Sequence, residues 1–225
     1  MHIGSQIVDI EPFKNAFNKI IDYTKKIEKT GIKIKNIDLG GGIGINYLNE
    51  DTPSLIKDYC NLVKDVHKKL NKKIIIEPGR YLVGESGVLI TKVIFKKKSQ
   101  NKNFLIVDAG MNDFMRPALY SAKHNIKKVD LENKKLPKLK YDVVGPICET
   151  ADTFAENLEF NNTIKAEDIL YIEKVGAYGS VMSSYYNSRG SIEEILVNKK
   201  KYCTIKNIVS INDILEKEEI PSWLL

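Results

Sequence analysis

Residues 31–44, GIKIKNIDLGGGIG, decide how this chain is read. A short apolar run over 34–39 ends in the triplet Gly40, Gly41 and Gly42, and a helical pattern precedes it. That pattern covers residues 11–30. Glu11-Pro12 opens it, with the proline in the first turn where its missing N–H costs nothing. Phe13, Phe17, Ile20, Ile21, Thr24 and Ile27 share one face, and Gly31 supplies the stop. Downstream the design repeats over 53–70, with Thr52 as cap and Pro53 at the first position. Its apolar face is Leu55, Tyr59, Leu62, Val63, Val66 and Leu70, and it leads into a second apolar run, 74–76. Helix and strand alternate as in a parallel α/β unit. Both strands end in loops rich in chemistry, 40–44 and 77–80, at the end of the strand where (β/α)₈ barrels place their sites.

From about residue 86 the pattern changes. Strand-like runs over 87–96 and 104–107 flank a polar Lys-Ser-Gln-Asn turn, and others follow near 124–130, 140–147, 169–175, 192–197 and 201–206. A closing helix is expected over 210–219. The predicted fold class is α/β plus β: residues 1–85 form part of a TIM-type barrel, and 86–225 form a mostly β domain. A whole barrel takes roughly 250 residues, so residues 1–85 are read as its C-terminal strands and helices.

Composition sets limits. The 225 residues, 43% hydrophobic and 28% charged, suit an ordinary globular protein. The net charge of +6 comes from lysines scattered in short groups between apolar strand residues, a pattern that argues against a nucleic-acid surface. Cys60, Cys148 and Cys203 are odd in number and far apart, which suits neither a disulfide framework nor a zinc site. No apolar run has membrane-spanning length and no signal peptide is evident, so a cytoplasmic protein with no membrane partner is expected.

Six motifs in order carry the functional reading: HIGSQ at 2–6, GGGIG at 40–44, EPGR at 77–80, RPALY at 116–120, GPICETAD at 145–152 and GAYGSVMSSYYNSR at 176–189. Together they resemble the pyridoxal-phosphate (PLP) diaminopimelate decarboxylases, of the ornithine/diaminopimelate/arginine decarboxylase group. The resemblance implies an alanine racemase-like architecture, a barrel followed by a Greek-key-like sheet domain. It spans nearly the whole chain but lacks one element. The family's Schiff-base lysine lies in a run like Tyr-Ala-x-Lys-Ala-Asn; the nearest stretch here, Tyr23-Thr24-Lys25-Lys26, is helical in pattern and does not match. The chain is therefore expected to be the C-terminal portion of such an enzyme, inactive alone.

Each motif residue has a chemical reading beside a plain one. Gly40, Gly41 and Gly42 leave bare backbone N–H groups that suit a phosphate, or they simply make a tight turn. Glu77, at a strand end, can pair with the cofactor's ring nitrogen or form an ordinary salt bridge. The resemblance makes His2 the ring-stacking residue, Ser5, Gly79 and Arg80 cofactor contacts, and Tyr178 a contact to both cofactor and substrate. It makes Arg80 and Arg116 ligands of the substrate carboxylate, for which a guanidinium fork is suited, and Tyr120 can add a hydroxyl if its segment is helical. Arg116 is otherwise a surface residue. Glu149 would hold the distal ammonium, and Cys148 would donate or position a proton at the reacting carbon. Cys60 and Cys203 are read as small packing residues, and Asp108 as either functional or a turn former. Arg189-Gly190-Ser191 departs from the family pattern, beyond the site residues.

The implied reaction is decarboxylation of meso-2,6-diaminopimelate to L-lysine, with PLP as cofactor and no metal, in a homodimer with shared sites. The alternatives are a decarboxylase of the ornithine, arginine or carboxynorspermidine type, and a non-catalytic truncated product. Cys148-Glu149, where ornithine enzymes typically show Cys-Asp, favours the first reading.

Overall fold

The computed structural model describes residues 1–48, 55–130 and 136–224. They form two compact units, Met1–Gly87 and Val88–Leu225.

In the first unit, α1 (Glu11–Glu28) buries Phe13, Phe17, Ile21 and Thr24, so the 3.6-residue periodicity is realised as a core face. Ile27, predicted for that face, is exposed. Helix α2 (Ile56–Leu70) buries Tyr59, Val66 and Leu70. The expected Thr52 cap and Pro53 lie outside the described residues. The two helices meet through aromatic rings: Tyr59 stands edge-on to Phe13 and Phe17 at 5.0 and 5.8 Å. Strands β1 (Asn36–Asp38) and β2 (Lys73–Ile75) pair in parallel, with Ile37 opposite Ile74. A third parallel run lies on the other side of β1, where Ile7 bridges Ile43 and the Met1 amino group donates to the Asp38 carbonyl at 2.7 Å. Three strand ends are thus aligned, joined by crossovers through α1 and α2. After β2 comes a one-turn helix, α3 (Gly79–Val83).

The second unit is built on a six-stranded sheet. In chain order its strands are β3 (Val88–Lys98), β4 (Asn103–Val107), β5 (Ile126–Lys128), β6 (Lys138–Val144), β7 (Thr153–Asn161) and β8 (Ile169–Glu173), arranged β5-β8-β3-β4-β6-β7. All neighbours are antiparallel except β4 and β6. Long β3 serves two partners: residues 88–92 pair with β8, and the stretch from Val93 onward pairs with β4. Val93, Leu105, Val107, Val143 and Leu170 lose all contact with solvent in its core. Helix α4 (Arg116–Tyr120) lies between β4 and β5. A separate antiparallel ribbon, β9 (Glu194–Asn198) with β10 (Lys201–Lys206), precedes α5 (Ile211–Leu215).

Three expectations need correction. Strand β7 was not foreseen, because Glu156 interrupts the apolar face that Phe154, Leu158 and Phe160 would make. The expected ten-residue closing helix is only α5, five residues long, started by a reciprocal Ser210–Asp213 capping box. Cys60 and Cys203 are exposed rather than packed: Cys60 lies beside, not on, the buried stripe of α2, and the β9–β10 ribbon leaves β10 exposed around Cys203. Among the described residues no helix is long and apolar enough to cross a membrane.

Candidate active site

Close backbone approach assembles the first cluster, at the strand ends of the first unit. Gly40 has φ +74°, and a Cβ there would fall 1.8 Å from the Met1 carbonyl oxygen. At Gly41 it would fall 2.0 Å from the Glu77 carbonyl oxygen, and at Gly42, φ +107°, 2.4 Å from that of Gly4. Only glycine fits these positions, so the triplet clamps the runs carrying His2, Ser5 and Glu77 around one loop. The loop carbonyls are engaged: Gly40 accepts from Glu77 N–H at 2.8 Å and Gly42 from Ile7 N–H at 2.9 Å. Gly40 N–H donates to Asp38 Oδ1 at 2.7 Å. Among the described residues nothing accepts from the N–H groups of Gly41 and Gly42. Two open donors in a glycine cradle after a strand fit an anionic group such as a phosphate.

Arg80 is tied to the same cluster. Its guanidinium donates to Ser5 Oγ from Nη2 at 3.0 Å and from Nε at 3.3 Å, and also to the Tyr47 hydroxyl. Tyr47 was not foreseen as part of this constellation. His2, Ser5, Glu77 and Gly79 are exposed.

The second cluster belongs to the sheet unit. Arg116 occupies the first turn of α4 and is buried, so it is not the surface residue of the plain reading. Its Nη1 lies 2.8 Å from His124 Nε2. The helix does form through Tyr120, which stays exposed at its end. Cys148 and Glu149 are exposed on the turn after β6. Tyr178, at φ 59°, follows β8 and is also exposed.

Sequence reasoning missed the residue that shapes this cluster, Asp152. Its Oδ1 accepts from Met111 N–H and its Oδ2 from Ile147 N–H, each at 2.7 Å, while its backbone closes onto Gly145 and Glu149. One buried carboxylate thus pins the Cys148-Glu149 turn to the loop leading into α4. Burial pushes its carboxyl above the usual aspartate range, against the two N–H groups and Arg189, which pull it down. Asp113 is likewise raised, first by burial, against the Gly110 N–H at 2.8 Å and Arg189. Arg189 braces the same loop from outside, donating to Asn112 Oδ1 at 3.1 Å and to the Asp108 carbonyl at 2.7 Å. Asp108 itself locks β3 to the end of β4, accepting from Thr91 Oγ1 at 2.7 Å and Lys92 N–H at 2.8 Å. The only sequence signal for Asp152 was its place in GPICETAD, three residues beyond Glu149.

Known proteins share this fold. The family model for the pyridoxal-dependent decarboxylase, C-terminal sheet domain, matches residues 13–176. The chain is similar to the diaminopimelate decarboxylase of Helicobacter pylori, at 44% identity over 97% of this chain and 53% of that protein. It is similar to that of Zymomonas mobilis at 41%, over 99% and 52%. Among solved structures, H. pylori diaminopimelate decarboxylase complexed with L-lysine superposes with a TM-score of 0.87 at 43% identity, over 96% of this chain and 52% of that one. Diaminopimelate decarboxylase from M. jannaschii, in complex with L-lysine, gives 0.91 at 35%, over 100% and 52%. The chain spans about half the length of the curated relatives it matches. A family model that takes in most of the chain, strand-end cradle and sheet alike, makes it a member of the pyridoxal-dependent decarboxylases.

Proposed function

We propose that this chain is half of a decarboxylase that removes one carboxylate of meso-2,6-diaminopimelate and leaves L-lysine. The observation that carries this is the 44% identity to a diaminopimelate decarboxylase along 97% of the chain. In this reading the first unit is the last part of a barrel, and the second is the sheet domain.

Pyridoxal phosphate, when bound, supplies a sink for the electron pair left behind as CO₂ departs. Gly41 and Gly42 N–H would hold its phosphate, a role supported by their lack of acceptors among the described residues. Glu77 would hold the proton at the ring nitrogen, His2 would stack on the ring, and Ser5, Gly79 and Arg80 would line the cradle. Arg116, with Tyr120, takes the carboxylate at the distal end of the substrate, and Glu149 the ammonium beside it. Arg80 and Tyr178 complete the contacts to substrate. Cys148 Sγ–H stands ready to deliver a proton to the reacting carbon. The second-unit residues serve the cofactor of a partner subunit, so the enzyme is a homodimer. Three free cysteines support a reducing compartment, the cytoplasm.

The test measures CO₂ release from diaminopimelate with added pyridoxal phosphate. It compares residues 1–225 alone with a completed enzyme, in which they are joined to an N-terminal half taken from the H. pylori relative. The completed enzyme is expected to act and residues 1–225 alone are not. Glu149→Asp and Arg116→Lys should each lower kcat/KM by about 10- to 1,000-fold, the loss of a charged hydrogen bond and some alignment. Preference for ornithine over diaminopimelate, or unchanged kinetics in both variants, would overturn the reading.

A further inference from the structure

We infer that His124 is a positioning residue for substrate specificity, holding the Arg116 fork in place as a neutral imidazole. The inference rests on the proposal that Arg116 takes the distal carboxylate.

Both nitrogens of the ring are engaged. His124 is 5% exposed and sits just before β5. Its Nδ1 lies 2.8 Å from the carbonyl oxygen of Glu173, and its Nε2 lies 2.8 Å from Arg116 Nη1. A carbonyl oxygen can only accept, so Nδ1 carries the hydrogen. A guanidinium can only donate, so Nε2 presents its lone pair. An imidazolium would set N–H against N–H. The ring plane is fixed as well, because Phe114, itself buried, stands edge-on to it with centroids 4.8 Å apart and planes at 83°.

This choice of partner has a chemical consequence. A carboxylate at the position of Nε2 would orient Arg116 but also cancel its charge. Neutral imidazole accepts one hydrogen bond and brings no negative charge of its own to the guanidinium. His124 thus orients the fork without itself offsetting its charge. The second anchor matters too: Glu173 is the last residue of β8, and the chain continues from there into Gly176-Ala177-Tyr178. His124 therefore ties the arginine of α4 to the strand end from which Tyr178 departs.

In the completed enzyme, His124→Ala should raise KM for diaminopimelate about 10- to 100-fold while kcat falls less than about threefold, since the lesion is in placing the distal head and not in the chemistry. L-lysine, which keeps that head after CO₂ leaves, should bind more weakly by a similar factor. His124→Gln restores an acceptor near the Nε2 position and should recover most of both losses. Ring ¹⁵N shifts of His124 in the wild-type enzyme should show protonated Nδ1 and unprotonated Nε2, a readout independent of whether the alanine variant folds. Unchanged KM and L-lysine affinity in a folded His124→Ala enzyme, or an imidazolium ring, would overturn the inference. Arg116→Ala separates the two layers. If that variant keeps its KM while the ¹⁵N shifts come out as expected, the carboxylate reading has failed and not the tautomer.

Discussion

Tyr59 sets the largest buried ring of the first unit against Phe13 and Phe17, yet among the described residues its hydroxyl has no partner. Burial, with lesser help from Cys60 and Asp38, pushes its pKa up to about 12. An unpaired buried hydroxyl costs about 1–3 kcal/mol of desolvation, and the ring's packing does not depend on it. Tyr59→Phe should therefore leave the urea midpoint unchanged or raise it; a loss above about 1 kcal/mol would reveal an ordered water serving that oxygen. Asp113 makes the complementary case, a buried acid whose carboxyl is raised from 3.8 mainly by desolvation. Between 3.8 and the raised value the folded chain binds more protons than the unfolded one. Asp113 thus favours folding most at low pH, and its contribution falls as pH rises through that window. Stability measured from pH 3.5 to 7 should show Asp113→Asn gaining on wild type as pH rises; a constant difference would mean that the carboxyl is not perturbed.

Among elements, the turn carrying Cys148 and Glu149 depends on Gly145 and Asp152 as a pair. A Cβ on Gly145 would lie 2.3 to 2.5 Å from three atoms of the Asp152 carboxylate. Gly145→Ala must displace that carboxylate from Met111 and Ile147, leaving two N–H groups in need of partners at about 1–3 kcal/mol each. We expect faster amide exchange at Met111 and Ile147 and a lower melting temperature, whereas exchange at unaltered rates would show that the clamp can shift without opening. This clamp was invisible in the sequence, because hydrogen bonds from one carboxylate to two distant backbone groups leave no periodic trace. The helices were legible for the opposite reason: Phe13, Phe17 and Ile21 repeat with the period of the face they bury. Strand β7 fell between these cases. Against β6, Tyr141 pairs with Leu158 but Val143 with Ala155, so an extra residue is inserted. Asn157 there takes φ 55° and donates its N–H to Asp142 Oδ1 at 2.8 Å. The alternation that would announce a strand slips at that point. Glycines 40–42 advertised a close approach of backbone, but the motif alone could not say that Met1, Glu77 and Gly4 are what they approach.

For the whole molecule, the proposal that one subunit's sheet unit serves its partner's cofactor is open to complementation. Two inactive completed enzymes are mixed, one carrying Cys148→Ala with Glu149→Ala and the other lacking the cofactor-anchoring lysine of its supplied half. In a two-fold dimer with shared sites, a mixed pair has one site with both lesions and one with neither. Random exchange should then restore up to about a quarter of wild-type sites. No recovery after verified exchange would mean that each site is built from one chain. The sheet unit also has a history in time, written in its pairing. Val88 opens the unit yet pairs with Glu173, and Ile126 must join the same edge through β8. A chain emerging from the ribosome therefore cannot close this sheet until most of the unit has been made. With contacts so far apart in sequence, refolding of the sheet is expected in milliseconds to seconds rather than microseconds. Until β8 arrives, β3 waits with Leu89 and Val93 uncovered, and the nascent chain is most exposed to aggregation in that interval.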